Sequence, residues 1–195
     1  RGPVTQDLGY EEVGIAMERG FVTVDDRLQT SVPGVYAVGD ITPGLQLAHR
    51  SYQHGIFVAE EIAGLSPRVV EDVNIPKVTY SDPEISSVGY TEAKAKEQFG
   101  ADAIETYEYS LAGNAKSEIV GTSGTVKAVR VKDGPVVGMH MIGRRVSELV
   151  GEAQLIVNWE AYPEDVAQLL HAHPTQGESL GETMLKLAGK PLHAI

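Results

Sequence analysis

The dipeptide Asp133-Gly134 stands between two apolar runs, Gly124–Lys132 and Val136–Ile142. Asp-Gly between alternating, β-prone segments is the strongest short-range hairpin signal. The tight turn that matches strand twist needs positive φ, and these two residues tolerate it. The pair therefore commits this stretch to two adjacent antiparallel strands. Pro76–Tyr80, Ile85–Tyr90 and Ala103–Tyr109 read as further strands, and Thr91 caps a helix reaching about Phe99 that Gly100 ends. After the hairpin the apolar period changes. Val146, Leu149, Val150, Ala153, Ile156 and Val157 form one face of a helix. Pro163 fits the first position of the next helix, with Glu164 and Asp165 in its first turn and Val166, Leu169 and Leu170 as its core face. A last helix spans about Gln176 to Ala188 and stops at Gly189-Lys190-Pro191. Strands followed by segregated helices predict an α+β layer arrangement with a mainly antiparallel sheet and flanking helices.

The first third of the chain reads differently. Turn signals crowd it: Asp7–Gly14, Pro33-Gly34 and Pro43-Gly44. Gly20–Asp26 is a short strand running into a turn, and Val35–Val38 is a short buried strand stopped by Gly39-Asp40. From Leu47 to Ala63, Tyr52, Ile56, Ala59 and Ile62 recur at helical steps, with Gly64 placed to end the helix. Ser66–Ile75 is the best linker. Two domains are expected, 1–72 and 73–195. The opening Arg1-Gly2-Pro3 reads as the start of a piece of a longer chain.

Composition narrows the function classes. Lys plus Arg is 16 and Asp plus Glu is 27, a formal charge of −11. Backbone phosphate binding needs clustered cations, so a nucleic-acid partner is not expected. No apolar run reaches the ~20 residues of a spanning helix, and no membrane partner or secretory leader is expected. Absence of cysteine excludes a disulfide, a thiolate metal site or a cysteine nucleophile within these 195 residues.

Three places could carry chemistry. Gly39-Asp40 follows a strand, where open α/β sheets bind ligands, and the carboxylate could accept hydrogen bonds from sugar or ribitol hydroxyls; a plain Asx turn is the alternative. Gln46-Leu47-Ala48-His49 opens a helix, whose free N–H groups would favour negative charge on a ring; an ordinary helix start with a surface histidine is the alternative. In His171-Ala172-His173-Pro174-Thr175-Gln176-Gly177-Glu178, Pro174 breaks the chain at His173. Glu178 could return to His173, fix its tautomer and raise its basicity. A capping box from Thr175 to Glu178 competes, as does metal binding by His171, His173 and Glu178. Trp159 to Tyr162 is either core or an aromatic-rimmed subunit interface.

The order of these elements resembles the flavoprotein disulfide reductases with two dinucleotide domains. Thr30–Asp40 (TSVPGVYAVGD) is similar to their second flavin-binding motif, Gln46–His49 to the helix start that faces the flavin, and Pro76–Gly89 (PKVTYSDPEISSVG) to the opening of their interface domain. His173-Pro174-Thr175 with Glu178 resembles their His-Glu pair. His171–Thr175 and Gly189–His193 look like the branch that oxidises dihydrolipoyl groups, and Asn158–Glu178 resembles its actinobacterial version. The resemblance implies an oxidoreductase using FAD and NAD, cytoplasmic and homodimeric, that serves the lipoyl-bearing acyltransferase of a 2-oxo-acid dehydrogenase complex. Gly39, Asp40, Gln46, Leu47, Ala48 and His49 would line the FAD. His173 would be the base toward a dihydrolipoyl thiol, Glu178 its orienter, both acting in the partner subunit's active site across a cis His173–Pro174 bond. Residues 1–72 would be the return half of a Rossmann-like FAD domain, and 73–195 the interface domain. Arg1–Thr5 resembles the strand end closing the NAD domain. The family's Gly-rich ADP motif, redox cysteine pair and NAD domain have no counterpart here, so no turnover is expected of this chain alone. The alternative role is a dimerisation or docking module. Many relatives have Leu-Ser where this chain has Gln176-Gly177, and a small effect is expected because the spacing to Glu178 is kept.

Overall fold

The computed structural model describes residues 2–194; Arg1, the first residue of the Arg1-Gly2-Pro3 opening and of the Arg1–Thr5 resemblance, lies outside the described residues. The chain divides into two compact units, residues 1–72 and 73–195.

The second unit is built on a five-stranded sheet. Its strands are β3 (Lys77–Thr79), β4 (Glu84–Gly89), β5 (Ile104–Ser110), β6 (Thr125–Val131) and β7 (Val136–Gly143), in the order β3-β4-β7-β6-β5 and antiparallel throughout. β6 and β7 form the predicted hairpin, but across residues 132–135: Asp133 takes φ 56° while Gly134 stays out of the positive-φ region, so the turn is longer than the two-residue one the dipeptide suggests. Side chains of β6 alternate: Val126 and Ala128 enter the main core, while Val129 meets Ala95 and Ile104 on the opposite face. In β7 the pairing skips from Gly138 to Val136, so Val137 is the extra residue of a bulge. The bulge reverses the alternation, and Val136, Met139 and Met141 all reach the main core. That core is closed by α4 (Val146–Asn158), through Val146, Val150, Ala153, Ile156 and Val157, and by α6 (Glu178–Leu187), through Leu180, Met184 and Leu187. The other face takes α2 (Glu92–Phe99), whose Thr91 cap accepts from the Lys94 N–H at 3.3 Å.

Between α4 and α6 lies α5, only Pro163–Val166. Val166 is buried, but Leu169 and Leu170 are exposed, Leu170 completely. The expected core face fails there because the helix ends at Ala167, and the period it would have set is lost. Trp159 and Tyr162 are also exposed, so in that segment the core reading holds only for Ala161, which packs against the main core.

The first unit has little regular structure. β1 (Met17–Glu18) and β2 (Phe21–Val22) form a two-residue hairpin. Val35–Val38 is not a strand. Its pairing is one isolated bridge, Gln29 with Tyr36, and Val35 is exposed. The segment folds back on Leu28–Thr30 through the Thr30 N–H to Val35 O (2.8 Å) and the Ala37 N–H to Leu28 O (3.1 Å), too short a ladder for a strand. The helix expected over Leu47–Ala63 is α1 (Ala48–Ile62), with Gly64 at φ +73° ending it. Its buried residues are Arg50, His54 and Phe57, whereas Tyr52, Ile56 and Ile62 face outward.

Candidate functional site

In the second unit the chain leaves α5, passes through His171–His173 without regular structure, and turns into α6. The His173–Pro174 bond is cis. His173 Nδ1 lies 2.8 Å from one oxygen of Glu178, and the other oxygen accepts the Thr175 N–H at 2.8 Å. Orienting pair and capping contact, alternatives in the sequence, thus coexist, one on each oxygen. An ionised carboxylate only accepts, so Nδ1 carries the proton and Nε2 keeps its lone pair. The His173 side chain is 71% exposed, leaving that lone pair accessible. Burial pushes the Glu178 carboxyl up, but the Thr175 N–H and the His173 ring outweigh it and hold it below the ordinary range. The arrangement suits proton transfer: a base nitrogen facing outward and an anion behind the ring to stabilise the imidazolium.

His171 does something else. Its Nε2 lies 2.7 Å from Glu152 on α4. The ring seats over Gly181 of α6, where an added Cβ would fall 2.7 Å from Nδ1. The hydrogen bond to Glu152 holds the imidazole above its ordinary range, against burial. It is a bolt between α4 and the base-bearing segment. Among the described residues no three His, Asp or Glu side chains come together as metal ligands, so the His171/His173/Glu178 metal reading has no geometry behind it.

One turn beyond Glu178 on α6, the buried Glu182 holds a second histidine. Its carboxylate accepts the N–H groups of His193 (2.8 Å) and Ala194 (3.1 Å) and meets His193 Nδ1 at 3.1 Å. Tyr109, His171, His173, Glu178, Glu182 and His193 share one cavity of about 460 Å³. Burial, with Glu182 nearby, pushes the Tyr109 hydroxyl up. Nothing in the sequence gives Glu182 and His193 a site role, because they stand 11 residues apart on a helix and a tail that only the fold brings together.

The other candidate residues gather in the first unit. Gly39 begins a tight turn at φ +84°, and an added Cβ there would lie 3.4 Å from Ser51 Oγ of α1. Asp40 is exposed, and its main-chain oxygen accepts from Gln46 Nε2 at 3.4 Å. Leu47 is extended and gives α1 no side-chain cap, while Ala48 and His49 are exposed in its first turn. All six residues therefore lie at one corner: an exposed carboxylate and the uncapped start of a 15-residue helix. Arg50, missed in the sequence, fixes that corner. Its buried guanidinium reaches Asp72 (2.8 Å) and the Pro43 carbonyl (2.8 Å), against Gly44, where a side chain would collide with it.

The pyridine nucleotide-disulphide oxidoreductase dimerisation domain matches residues 75–184, and the pyridine nucleotide-disulphide oxidoreductase domain matches residues 1–55. The chain is 41% identical to the dihydrolipoyl dehydrogenase of Geobacillus stearothermophilus, covering all of this chain and 42% of that one. It is 36% identical to the dihydrolipoyl dehydrogenase of Corynebacterium glutamicum, covering 96% and 41%. The crystal structure of LpdA from Mycobacterium tuberculosis superposes with a TM-score of 0.88 at 28% identity, over 95% of this chain and 41% of that one. The HOCl-induced flavoprotein disulfide reductase RclA from Escherichia coli gives 0.84 at 27%, over 94% and 43%. The chain spans about 42% of the length of the curated relatives it matches.

Proposed function

The chain belongs to the pyridine nucleotide-disulphide oxidoreductase family, and from that premise we propose that it is the carboxy-terminal part of an FAD-dependent dihydrolipoyl dehydrogenase, supplying the acid–base pair and the dimer surface. The observation that carries this reading is the His173–Glu178 pair, with Nδ1 tied at 2.8 Å and Nε2 facing outward. His173 accepts a proton from a dihydrolipoyl thiol at Nε2. Glu178 keeps the ring in that tautomer and stabilises the cation. Relatives named dihydrolipoyl dehydrogenase over the whole chain support the substrate class. The exposed Leu155, Trp159, Tyr162 and Leu170 support a homodimer in which the pair serves the partner's active site.

FAD fits the corner in the first unit. The Asp40 carboxylate would accept from ribitol-side hydroxyls, aided by the close backbone at Gly39, and Gln46 braces the turn. Leu47, Ala48 and His49 would present the helix start to the N1/O2 side of the ring system, where α1's dipole would favour the negative charge of the reduced flavin. When bound, the flavin would relay electrons between a thiol–disulfide centre and NAD⁺. Neither the cysteine pair nor an NAD site has a counterpart in these residues. The partner that carries the dihydrolipoyl group would be the lipoyl-bearing acyltransferase of a 2-oxo-acid dehydrogenase complex.

The test uses the full-length enzyme containing this chain. His173→Ala lowers the rate of dihydrolipoamide oxidation by about 10²–10⁴-fold, the usual share of a general base, and Glu178→Gln costs less. Full activity in both variants would overturn the acid–base reading. The 195-residue chain alone shows no NAD⁺ reduction with dihydrolipoamide, and measurable turnover would contradict the division of labour.

A further inference from the structure

A base is useful only where it is held, and the two residues on either side of the Thr175–Gln176 peptide are held by groups far away in sequence. Asn114 begins α3 (Ala115–Ile119) and is buried. Its amide nitrogen donates to the Thr175 carbonyl at 2.9 Å, 61 residues on, and its amide oxygen accepts the Ser117 N–H at 2.9 Å and the Ser117 hydroxyl at 3.0 Å. Gln176 is buried too, and its amide donates to the Arg144 carbonyl at 2.9 Å and reaches Ser117 Oγ at 3.4 Å. The Gln176 carbonyl, in the next peptide along, accepts the Ser179 hydroxyl at 2.6 Å, which ties the same turn into α6. Each polar atom named here has its partner inside the protein, so the network has one arrangement rather than several.

From this geometry we infer that Asn114 and Gln176, joined through Ser117, are positioning residues for the His173–Glu178 pair. Thr175, the residue Asn114 holds, is the one whose N–H fixes the second oxygen of Glu178. The chain of contacts is short: Asn114 sets the Thr175 peptide, the Thr175 N–H sets the Glu178 carboxylate, and the carboxylate sets the His173 ring. Gln176 anchors the same turn to the β7–α4 connection at Arg144. Its amide is therefore a working part of the site. The sequence reading treats position 176 as a spacer, because spacing to Glu178 is all that a pattern can register. His171, bolted to Glu152, holds the segment from the other side.

This inference rests on the acid–base reading, and its test separates the two. In the full-length FAD-loaded enzyme, Asn114→Asp keeps the size and the acceptor for Ser117 but sets an oxygen against the Thr175 carbonyl. Gln176→Met keeps the length and removes the donor. Each lowers kcat for dihydrolipoamide oxidation by about 10-fold or more, within the range that small misplacements of reacting groups produce, while KM and flavin content hold. The decisive readout is a double-mutant cycle. A residue acting through His173 loses its effect once His173 is gone. Asn114→Asp and Gln176→Met thus change nothing further in a His173→Ala background. Wild-type kcat in both single variants, beside a crippled His173→Ala enzyme, would overturn the clamp alone. So would the same fold-loss with and without His173. An unaffected His173→Ala enzyme would remove the acid–base reading and the clamp with it.

Discussion

The two units solve burial in opposite ways, and α1 and α4 make the contrast plain. Both helices read as amphipathic. In α4 the apolar stripe is inside, packed on the sheet. In α1 the stripe is outside, with Tyr52 72% exposed, and the buried residues are Arg50, His54 and Phe57. Periodicity identifies a face, but burial needs a surface to receive it. The second unit offers five paired strands, whereas the first offers a two-residue hairpin and isolated bridges. Cohesion in the first unit therefore rests on directional contacts. Arg27 pairs with Glu61 and lies over the Phe57 ring, and Arg50 pairs with Asp72. His54 shows the cost of polar burial. Among the described residues its Nδ1 has no hydrogen-bond partner, and desolvation, with Arg50 adding to it, pushes the imidazole below its ordinary range.

The largest expected difference is in local stability. Amides of β6 and β7 exchange with solvent about a thousandfold or more slowly than those of residues 21–38, because core strands open only with the whole unit. Equal protection by hydrogen-exchange mass spectrometry would break the contrast. Side-chain truncation sharpens it. Leu180→Ala, in the main core, costs about 2–5 kcal/mol by urea unfolding. Ile56→Ser, on the outward stripe of α1, stays within about 0.5 kcal/mol; a large loss would mean that stripe is covered.

Smaller effects come from charge. The His171 imidazole is raised above its ordinary value by Glu152, with Glu178 adding to it. Its stabilisation is full below about pH 6.5, the unperturbed value, and fades as pH rises through the raised one. His171→Gln flattens that fall in thermal midpoint over neutral pH, and an unchanged slope would refute the bolt. At the surface, Lys127 and Lys96 hold the Glu92 carboxyl down to about 2. Its contribution is present above about pH 4.5 and is lost toward about 2. Exposed pairs contribute little, so Glu92→Gln is the mildest change, seen as a small loss of acid tolerance.

Much of the second unit was legible in the sequence. Asp133-Gly134 made the hairpin, Thr91 the cap of α2, and the Val146–Val157 spacing the buried face of α4. Those signals are local, and local chemistry decides them. The Val137 bulge was not legible, because it depends on the register of a partner strand. Leu169 and Leu170 misled because α5 stops before their period can act. In the site, the His173–Glu178 pair stood five residues apart and could be read. Asn114, Ser117 and Glu182 could not, since their partners lie 61, 59 and 11 residues away.

The central claim is that Glu178 fixes the His173 ring with its proton on Nδ1. Imidazole ¹⁵N spectra of the 195-residue chain at mildly alkaline pH test it directly. The account predicts a predominant Nδ1–H tautomer for His173 that collapses to a peptide-like mixture in Glu178→Gln. An Nε2–H tautomer, or a spectrum indifferent to Glu178, would contradict it.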